Sequence, residues 1–168
     1  MGDKELGPIT TCSCGAALPR IASDVTHRYI VSTPECWACF SEVVGREYGN
    51  PALFGAVHQL TVDAYAAQHP QSQPAKSLVG HLVSLYTTVE CSADQREGRD
   101  TLKRFVESRK SFPELTPPSD LGPLTIADVL ASDSPDLHRE TVRRWALQVW
   151  RAWQNEHPTI IALAKTVR

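Results

Sequence analysis

The 168-residue chain lacks a hydrophobic run long enough to cross a membrane, and it lacks an excess of charge of either sign. A membrane-spanning helix needs about 20 mostly apolar residues, so we expect no membrane span. The 17 Lys and Arg nearly balance the 19 Asp and Glu, giving a net charge of −2, and a nucleic-acid partner is therefore not expected. Because the first residues carry charges but no apolar segment of the secretory type, the sequence predicts a cytoplasmic protein.

Strand patterns and internal repeats are also missing, whereas helix start signals recur along the chain. A Ser, Thr or Asn before a proline or an acid predicts a helix start, and Gly or Pro predicts an end. These signals predict helices over about 34–48, 51–69, 74–90, 92–110, 125–132 and 134–157. The predicted fold class is all-α, a bundle of about five to six helices with an irregular, loop-rich N-terminal segment of the zinc-knuckle kind.

The length of the chain suits one hydrophobic core, so we expect a single domain over residues 1–168. Within it we distinguish a loop-rich N-terminal knob (1–32), a four-helix region (33–111), a Pro-rich loop (112–124) and C-terminal helices (125–168). The loop prediction rests on four prolines and one glycine in the stretch SFPELTPPSDLGPL, which cannot continue a helix.

The second predicted helix contains the stretch HQLTVDAYAAQHP, which is apolar nearly all round. Such a helix is usually central and buried, so its polar side chains need partners inside the protein. A short turn before the third helix predicts an antiparallel pair, with His81 level with residues 62–65. A carboxylate beside a histidine orients a metal ligand or a general base. We therefore name as candidate catalytic residues His58, Asp63, Tyr65, His69 and His81. The alternative is that these groups only satisfy one another within the core.

Four of the five cysteines form two closely spaced pairs. Cys12 and Cys14 lie in the N-terminal knob, and Cys36 and Cys39 lie in the first turn of a predicted helix. Short spacing lets two sulfurs face one ion, and a helix N-terminus favours the thiolate. The sequence predicts a zinc site with these four ligands, and His27 is an alternative ligand. The other interpretations are a redox dithiol at Cys36 and Cys39, or cysteines that simply pack in the core.

The stretch WALQVWRAWQNEH places Trp150, Trp153 and His157 on one broad helical face. A tryptophan stripe at helical spacing most often belongs to the core. The functional alternative is the aromatic wall of a pocket with His157 at its mouth.

The order of these motifs resembles a bacterial family of unknown function. The resemblance is carried by Cys-Gly-Ala, THRY, CWACFSEVVGREYGNP, HQLTVDAYAAQHP, HLVSLY and VWRAWQNEH, and it covers nearly the whole chain. It implies that the signature positions include Cys14, His27, Cys36, Trp37, His58, Asp63, Tyr65, His69, His81, Trp150, Trp153 and His157. Members of the family tend to open with Cys-x-x-Cys-Gly, so Cys12 is one place out of register, and Cys39 lies outside the pattern. The resemblance thus implies a mixed site in which a histidine joins Cys14 and Cys36.

Two classes of function remain open on the sequence. The first is a zinc-binding helical protein that acts as a small metalloenzyme, although the reaction is not established. Its site would consist of His, Asp and Tyr side chains between the second and third helices, and its substrate would be a small molecule. The second is a non-enzymatic structural or protein-interaction module whose zinc is purely structural and whose partner contacts the Pro-rich loop or the fourth helix. The sequence leaves homo-oligomerisation open.

Overall fold

A computed structural model of the chain describes residues 7–167. As predicted, the protein is mostly helical, and the described residues also form a small antiparallel hairpin that the sequence pattern does not predict. The elements are β1 (Ile9–Thr11), β2 (Ala17–Pro19), α1 (Pro34–Tyr48), α2 (Pro51–Gln68), α3 (Ala75–Val89), α4 (Gln95–Ser108), α5 (Ile126–Leu130), α6 (Pro135–Ala152) and α7 (His157–Ala164). None of the described helices is both long and apolar enough to cross a membrane.

The helix starts follow the capping residues of the sequence. The side chains of Thr33, Asn50 and Ser134 accept backbone N–H groups at the starts of α1, α2 and α6, and each precedes a proline. Proline is well placed there because its missing N–H would have no partner inside the helix. Thr125 caps α5 through a reciprocal bond with Asp128, which satisfies two backbone donors at once.

Two of the predicted helix bounds differ in the structure. The fourth helix begins two residues late because Asp94 rather than Ser92 supplies the cap, and Ser92 takes a left-handed conformation. The last predicted helix ends at Ala152, and a short 3-10 turn separates it from α7. The imidazole of His157 stacks on the Trp150 ring at 3.8 Å and bonds the Trp150 carbonyl, which folds α7 back against α3.

Helix α2 lies at the centre of the bundle and packs against α1, α3, α4 and α6. Its mostly apolar surface explains this position, because a helix without a polar face gains most by being covered. The tryptophans Trp145, Trp150 and Trp153 are almost completely buried, so the stripe on α6 belongs to the core. The Pro-rich loop crosses α6, where Gln148 bonds the backbone of Leu121 and Leu124.

One buried carboxylate joins three of the helices. Glu47 near the end of α1 accepts hydrogen bonds from His58 Nδ1 (2.8 Å) and Thr61 Oγ1 (2.5 Å) on α2 and from His138 Nε2 (2.9 Å) on α6. Burial alone would raise the pKa of Glu47, but the bonds from His138, His58 and Thr61 offset this and hold the pKa below its ordinary value. Glu47 is therefore a carboxylate whose charge is compensated by donors from two other helices.

We predict that Glu47→Gln lowers the free energy of unfolding by about 2 kcal/mol, because an amide cannot accept three hydrogen bonds and leaves a buried donor unpaired. Since the pKa of Glu47 is lowered by folding, the carboxylate stabilises the protein fully above the ordinary glutamate pKa. That contribution is lost as the pH falls through the lower pKa of the folded state. Urea unfolding of wild type and variant over the acidic pH range measures both effects. The difference in unfolding free energy between the two proteins should shrink toward low pH.

The matched control is Glu42→Gln, which removes an exposed carboxylate from the same helix and should change stability by no more than about 0.5 kcal/mol. Equal losses in the two variants would contradict the role of the buried carboxylate.

Candidate metal centre

Four side chains that are distant in sequence meet in one buried cluster. Cys12, Cys14, Cys36 and His69 are all buried, and their ligand atoms all lie within 4.8 Å of one another. The Sγ atoms of Cys14 and Cys36 are 3.8 Å apart, and His69 Nε2 lies 3.4 Å from Cys12 Sγ and 3.6 Å from Cys36 Sγ. Three sulfurs and an imidazole nitrogen converging in this way can hold a metal ion.

The hairpin supplies the first two cysteines. Strands β1 and β2 pair antiparallel, and the connection between them contains Cys12 and Cys14. It is closed by the bonds of Gly15 N–H to the Cys12 carbonyl and of Cys12 N–H to the Ala16 carbonyl, both 2.9 Å. Gly15 has a φ of +94°, a conformation that side chains disfavour. The glycine therefore turns the chain so that both thiols face the same side.

Cys36 belongs to the first turn of α1. The Thr33 hydroxyl accepts the Cys36 N–H at 3.3 Å and so fixes the start of the helix, while the Thr33 N–H donates to Cys12 Sγ at 3.4 Å. Thr33 thus links the helix start to the hairpin. The positive end of the helix dipole favours a thiolate at Cys36.

The fourth member, His69, caps the C-terminal end of α2. Its Nδ1 bonds the Tyr65 carbonyl at 2.8 Å, and since a carbonyl only accepts, Nδ1 carries the proton. The other nitrogen, Nε2, is then free to bind a metal, as is usual for histidine ligands held by a backbone carbonyl. Gln73 closes the same helix end by donating to the Ala66 and His69 carbonyls.

The core holds this helix end in place. The indole N–H of Trp145 donates to Gln68 Oε1 at 2.9 Å, and that of Trp153 donates to the Ala67 carbonyl at 3.1 Å. Both tryptophans are buried, so their positions are fixed by packing. His69 is therefore presented from a rigid support.

The protons of the cluster are shared between sulfur and imidazole. Hydrogen bonds from Cys14 and Cys36 hold the pKa of Cys12 well below its ordinary value. Hydrogen bonds with Cys12 and Cys14, together with burial, raise the pKa of Cys36. Burial lowers the pKa of His69, but hydrogen bonds to Cys12 and Cys14 outweigh it and raise the pKa to about 9. A cation that displaces these protons would meet negative sulfur already in place.

Tyr65 lies next to the cluster without joining it. Its hydroxyl donates to Cys36 Sγ at 3.7 Å. Burial and the neighbouring Cys36 raise the pKa of the Tyr65 hydroxyl far above its ordinary value, so it remains a donor. Its ring packs against His69 at 4.3 Å and against Phe40 at 4.1 Å, which orients the imidazole and keeps water from the sulfurs.

Two of the residues that the sequence singles out as metal ligands lie apart from the cluster. Cys39 is buried one helical turn beyond Cys36, but its sulfur is not among the converging atoms. The imidazole of His27 instead accepts the backbone N–H groups of Tyr29 and Ile30 through Nδ1, and its ring lies against Trp37. His27 therefore organises the loop before α1.

The five candidate catalytic residues are divided among three places. His69 belongs to the cysteine cluster, and Tyr65 lies beside it with its hydroxyl bonded to Cys36 Sγ. His81 bonds Asp63 at 2.8 Å between α3 and α2, where Ser84 also donates to Asp63 at 2.6 Å. His58 bonds Glu47 between α2 and α1. The antiparallel arrangement of α2 and α3 explains the contact of His81 with Asp63. Glu47, Ser84 and His138 are not among the residues named from the sequence, although Glu47 and Ser84 lie within the quoted motifs.

Comparison with known proteins shows the family to which the chain is similar. The model of a family of unknown function, DUF5946, matches residues 9–154, which bears out the resemblance seen in the motifs. Neither the curated proteins nor the solved structures include a match to the chain.

We predict that the purified protein binds about one equivalent of metal, and that Cys36→Ser and His69→Ala each lose most of it, because a four-ligand thiolate and imidazole site needs every ligand. Elemental mass spectrometry on protein prepared without chelator or histidine tag measures the ratio.

The matched controls are Cys39→Ser and His81→Ala, which remove a nearby thiol and a nearby imidazole from outside the cluster. Both should keep the metal content of the wild type. Loss of metal in Cys39→Ser together with retention in His69→Ala would contradict the cluster as drawn.

Proposed function

We propose that this chain, which belongs to the DUF5946 family of unknown function, is a zinc-binding helical protein. In this proposal one zinc ion bound by Cys12, Cys14, Cys36 and His69 fastens the N-terminal hairpin to the helical bundle. The role of the metal is structural, and the protein is not a metalloenzyme at this centre.

The observation that carries the proposal is the spacing of the four ligand atoms. Zinc binds sulfur at about 2.3 Å and imidazole nitrogen at about 2.0–2.1 Å in a tetrahedron, which separates sulfurs by about 3.8 Å and a sulfur from a nitrogen by about 3.6 Å. The observed separations are 3.8 Å for Cys14 and Cys36 and 3.4 and 3.6 Å for His69 with Cys12 and Cys36. These three separations match those of a tetrahedral zinc site, and all four ligand atoms lie within 4.8 Å of one another.

The donor types favour zinc over harder cations. Thiolate and imidazole suit Zn²⁺, whereas Mg²⁺ and Ca²⁺ prefer oxygen ligands. A tetrahedral site with three sulfurs and one nitrogen is typical of structural zinc. Bound thiolates must stay reduced, so a reducing compartment such as the cytoplasm suits the protein.

A structural role follows from how the donors fill the site. Catalytic zinc keeps a position open for water or substrate, whereas four protein ligands leave none. The ligands come from three segments, namely the hairpin, the start of α1 and the end of α2. The hairpin has two strands of three residues each, too small to be stable alone, so the metal supplies its attachment.

The test of the proposal is replacement of zinc by Co²⁺. Tetrahedral Co²⁺ with three thiolates gives strong visible bands and a sulfur-to-metal charge-transfer band. We expect both in the wild type and in Cys39→Ser, and we expect stoichiometric zinc to abolish them. A spectrum without the charge-transfer band, or with the weak absorption of six-coordinate cobalt, would exclude this ligand set.

We predict that removing the metal with a strong chelator frees the N-terminal segment while the bundle remains folded. Residues 7–33 should exchange amide hydrogens and be cut by proteases far faster, because strands of three residues are too short to stay paired once their cysteines lose the ion, while the helical circular dichroism stays nearly unchanged. Acidification should have the same effect, since protons compete with zinc for the thiolates.

The control for this experiment is re-addition of zinc, which should restore protection of the segment in the wild type but not in Cys36→Ser. A segment that stays protected without metal would argue against the attachment role, and loss of helical signal would extend the role of zinc to the whole bundle.

A further inference from the structure

A groove lies beside α2, near the helix end opposite to the metal centre. It consists of two adjoining cavities of about 530 and 520 Å³ that share Gly55, Asp94 and Gln95 in their lining. The start of α4 is fixed over α2 by a bond from the Leu60 N–H to Gln95 Oε1 at 3.0 Å. The groove therefore lies between elements that are held together, and it is within the size range of small-molecule sites.

His58 lies in the wall of one of these cavities. Its Nδ1 bonds the buried carboxylate of Glu47, which is itself held by Thr61 and His138. Since a carboxylate only accepts, Nδ1 carries the proton, and Nε2 on the other side of the ring is the nitrogen left for the groove. The imidazole is further fixed by stacking on Phe54 at 4.5 Å. A buried carboxylate therefore holds this histidine in a fixed orientation at the cavity wall, an arrangement that close packing alone does not require.

Three arginines line the two cavities. Arg96 and Arg99 on α4 line the cavity whose wall includes His58, and Arg143 lines the adjoining cavity. Asp94 is the single acidic residue in the lining of the two cavities, and its Oδ1 already accepts the Glu97 N–H at 2.8 Å as the cap of α4. Arg99 Nε also lies 3.7 Å from Asp100 Oδ1, outside the lining. The three arginines still outnumber the one acidic residue of the lining, in a chain with a net charge of −2, and this favours an anionic ligand.

The other cavity has a mostly apolar wall. Ala56, Leu60, Val89 and Leu147 contribute to it. A ligand that extends from the arginines into this part would bury an apolar body there. Polar groups at one end and apolar surface at the other are the usual composition of a pocket for a small organic molecule.

Gly55 is exposed and lines both cavities. Gly55 lies inside α2, where alanine would form helix better. A Cβ atom added at Gly55 would meet no other atom within 4 Å, so close packing does not require a glycine at this position.

We propose that this groove binds a small organic anion, a phosphate or carboxylate on a compact apolar body, with Arg96 and Arg99 pairing the anionic group and the His58 ring forming the wall beside it. The site is separate from the zinc centre, so its test is independent of the proposed structural zinc. Phosphate and carboxylate share this recognition chemistry, and the probes below separate them.

The experiment is a titration of the zinc-loaded full chain followed by NMR of the Gly55 amide and the His58 ring nitrogens. The probes are phenyl phosphate and phenylacetate, with benzyl alcohol as the body without charge and inorganic phosphate as the charge without body. We expect saturable shifts at both reporters with at least one organic anion. Benzyl alcohol and inorganic phosphate should each bind at least about tenfold more weakly than the organic anion, which corresponds to ~1.4 kcal/mol.

Variants locate the binding within the groove. Gly55→Leu should abolish it by filling the floor, while Gly55→Ala, which adds a single methyl, should weaken it less. The double variant Arg96→Ala with Arg99→Ala should weaken it at least about tenfold. The matched control Arg104→Ala removes an exposed charge of α4 that lies outside the lining and should leave binding unchanged.

Several results would overturn the proposal. Absence of saturation with both organic anions would do so, as would equal affinity for inorganic phosphate, which would indicate surface anion binding only. Binding that survives Gly55→Leu would place the ligand elsewhere. Because Gly55→Leu adds apolar surface without removing a contact, a folded spectrum for it is expected and keeps the result interpretable.

Discussion

The structure depends on one constraint, which is that the polar groups of a buried helix must find their partners inside the protein. Helix α2 is apolar enough to be covered by four other helices, yet it carries His58, Thr61, Asp63 and His69. An unpaired polar group in such a place costs a few kcal/mol. Each of these groups is therefore bonded to a residue from another segment, His69 through the cysteine cluster, and these bonds determine which face of α2 meets which neighbour.

The partners are arranged in three layers along α2. Near its start, Glu47 gathers His58, Thr61 and His138 and so joins α1, α2 and α6. In its middle, Asp63 bonds His81 and Ser84 of α3. At its end, His69 meets cysteines from the hairpin and from α1. Polar networks of this kind fix the register of packed helices, which apolar contacts alone specify less strictly.

Much of the fold is predictable from local sequence because the capping residues act locally. Thr33, Asn50 and Ser134 each bond a backbone group within three residues, so a short window contains the cause and the effect. The meeting of His81 with Asp63 needs one further step, an antiparallel pair with a short turn. The small hairpin escapes prediction because strands of three residues show too little alternation to be recognised.

The composition of the metal cluster needs information that local sequence lacks. Cys36 and Cys39 are one helical turn apart and the sequence pattern does not distinguish them, but only the Cys36 sulfur converges with Cys12, Cys14 and His69. His69 reaches Cys12 across 57 residues, and Glu47 reaches His138 across 91. Such pairs follow from tertiary packing, which a single sequence does not reveal without further data.

The two ends of α2 differ in what they can do chemically. His58 and His69 are eleven positions apart on the same helix, roughly 16 Å at the helical rise, too far to share one ion. The ligand atoms around His69 are closed to solvent and saturated by protein, so that end has no room for a reactant. His58 is held by an equally rigid carboxylate, but its ring lies in the wall of an open cavity with arginines beside it. An activity of this fold would therefore be expected at the start of α2 rather than at the cluster of Cys12, Cys14, Cys36 and His69.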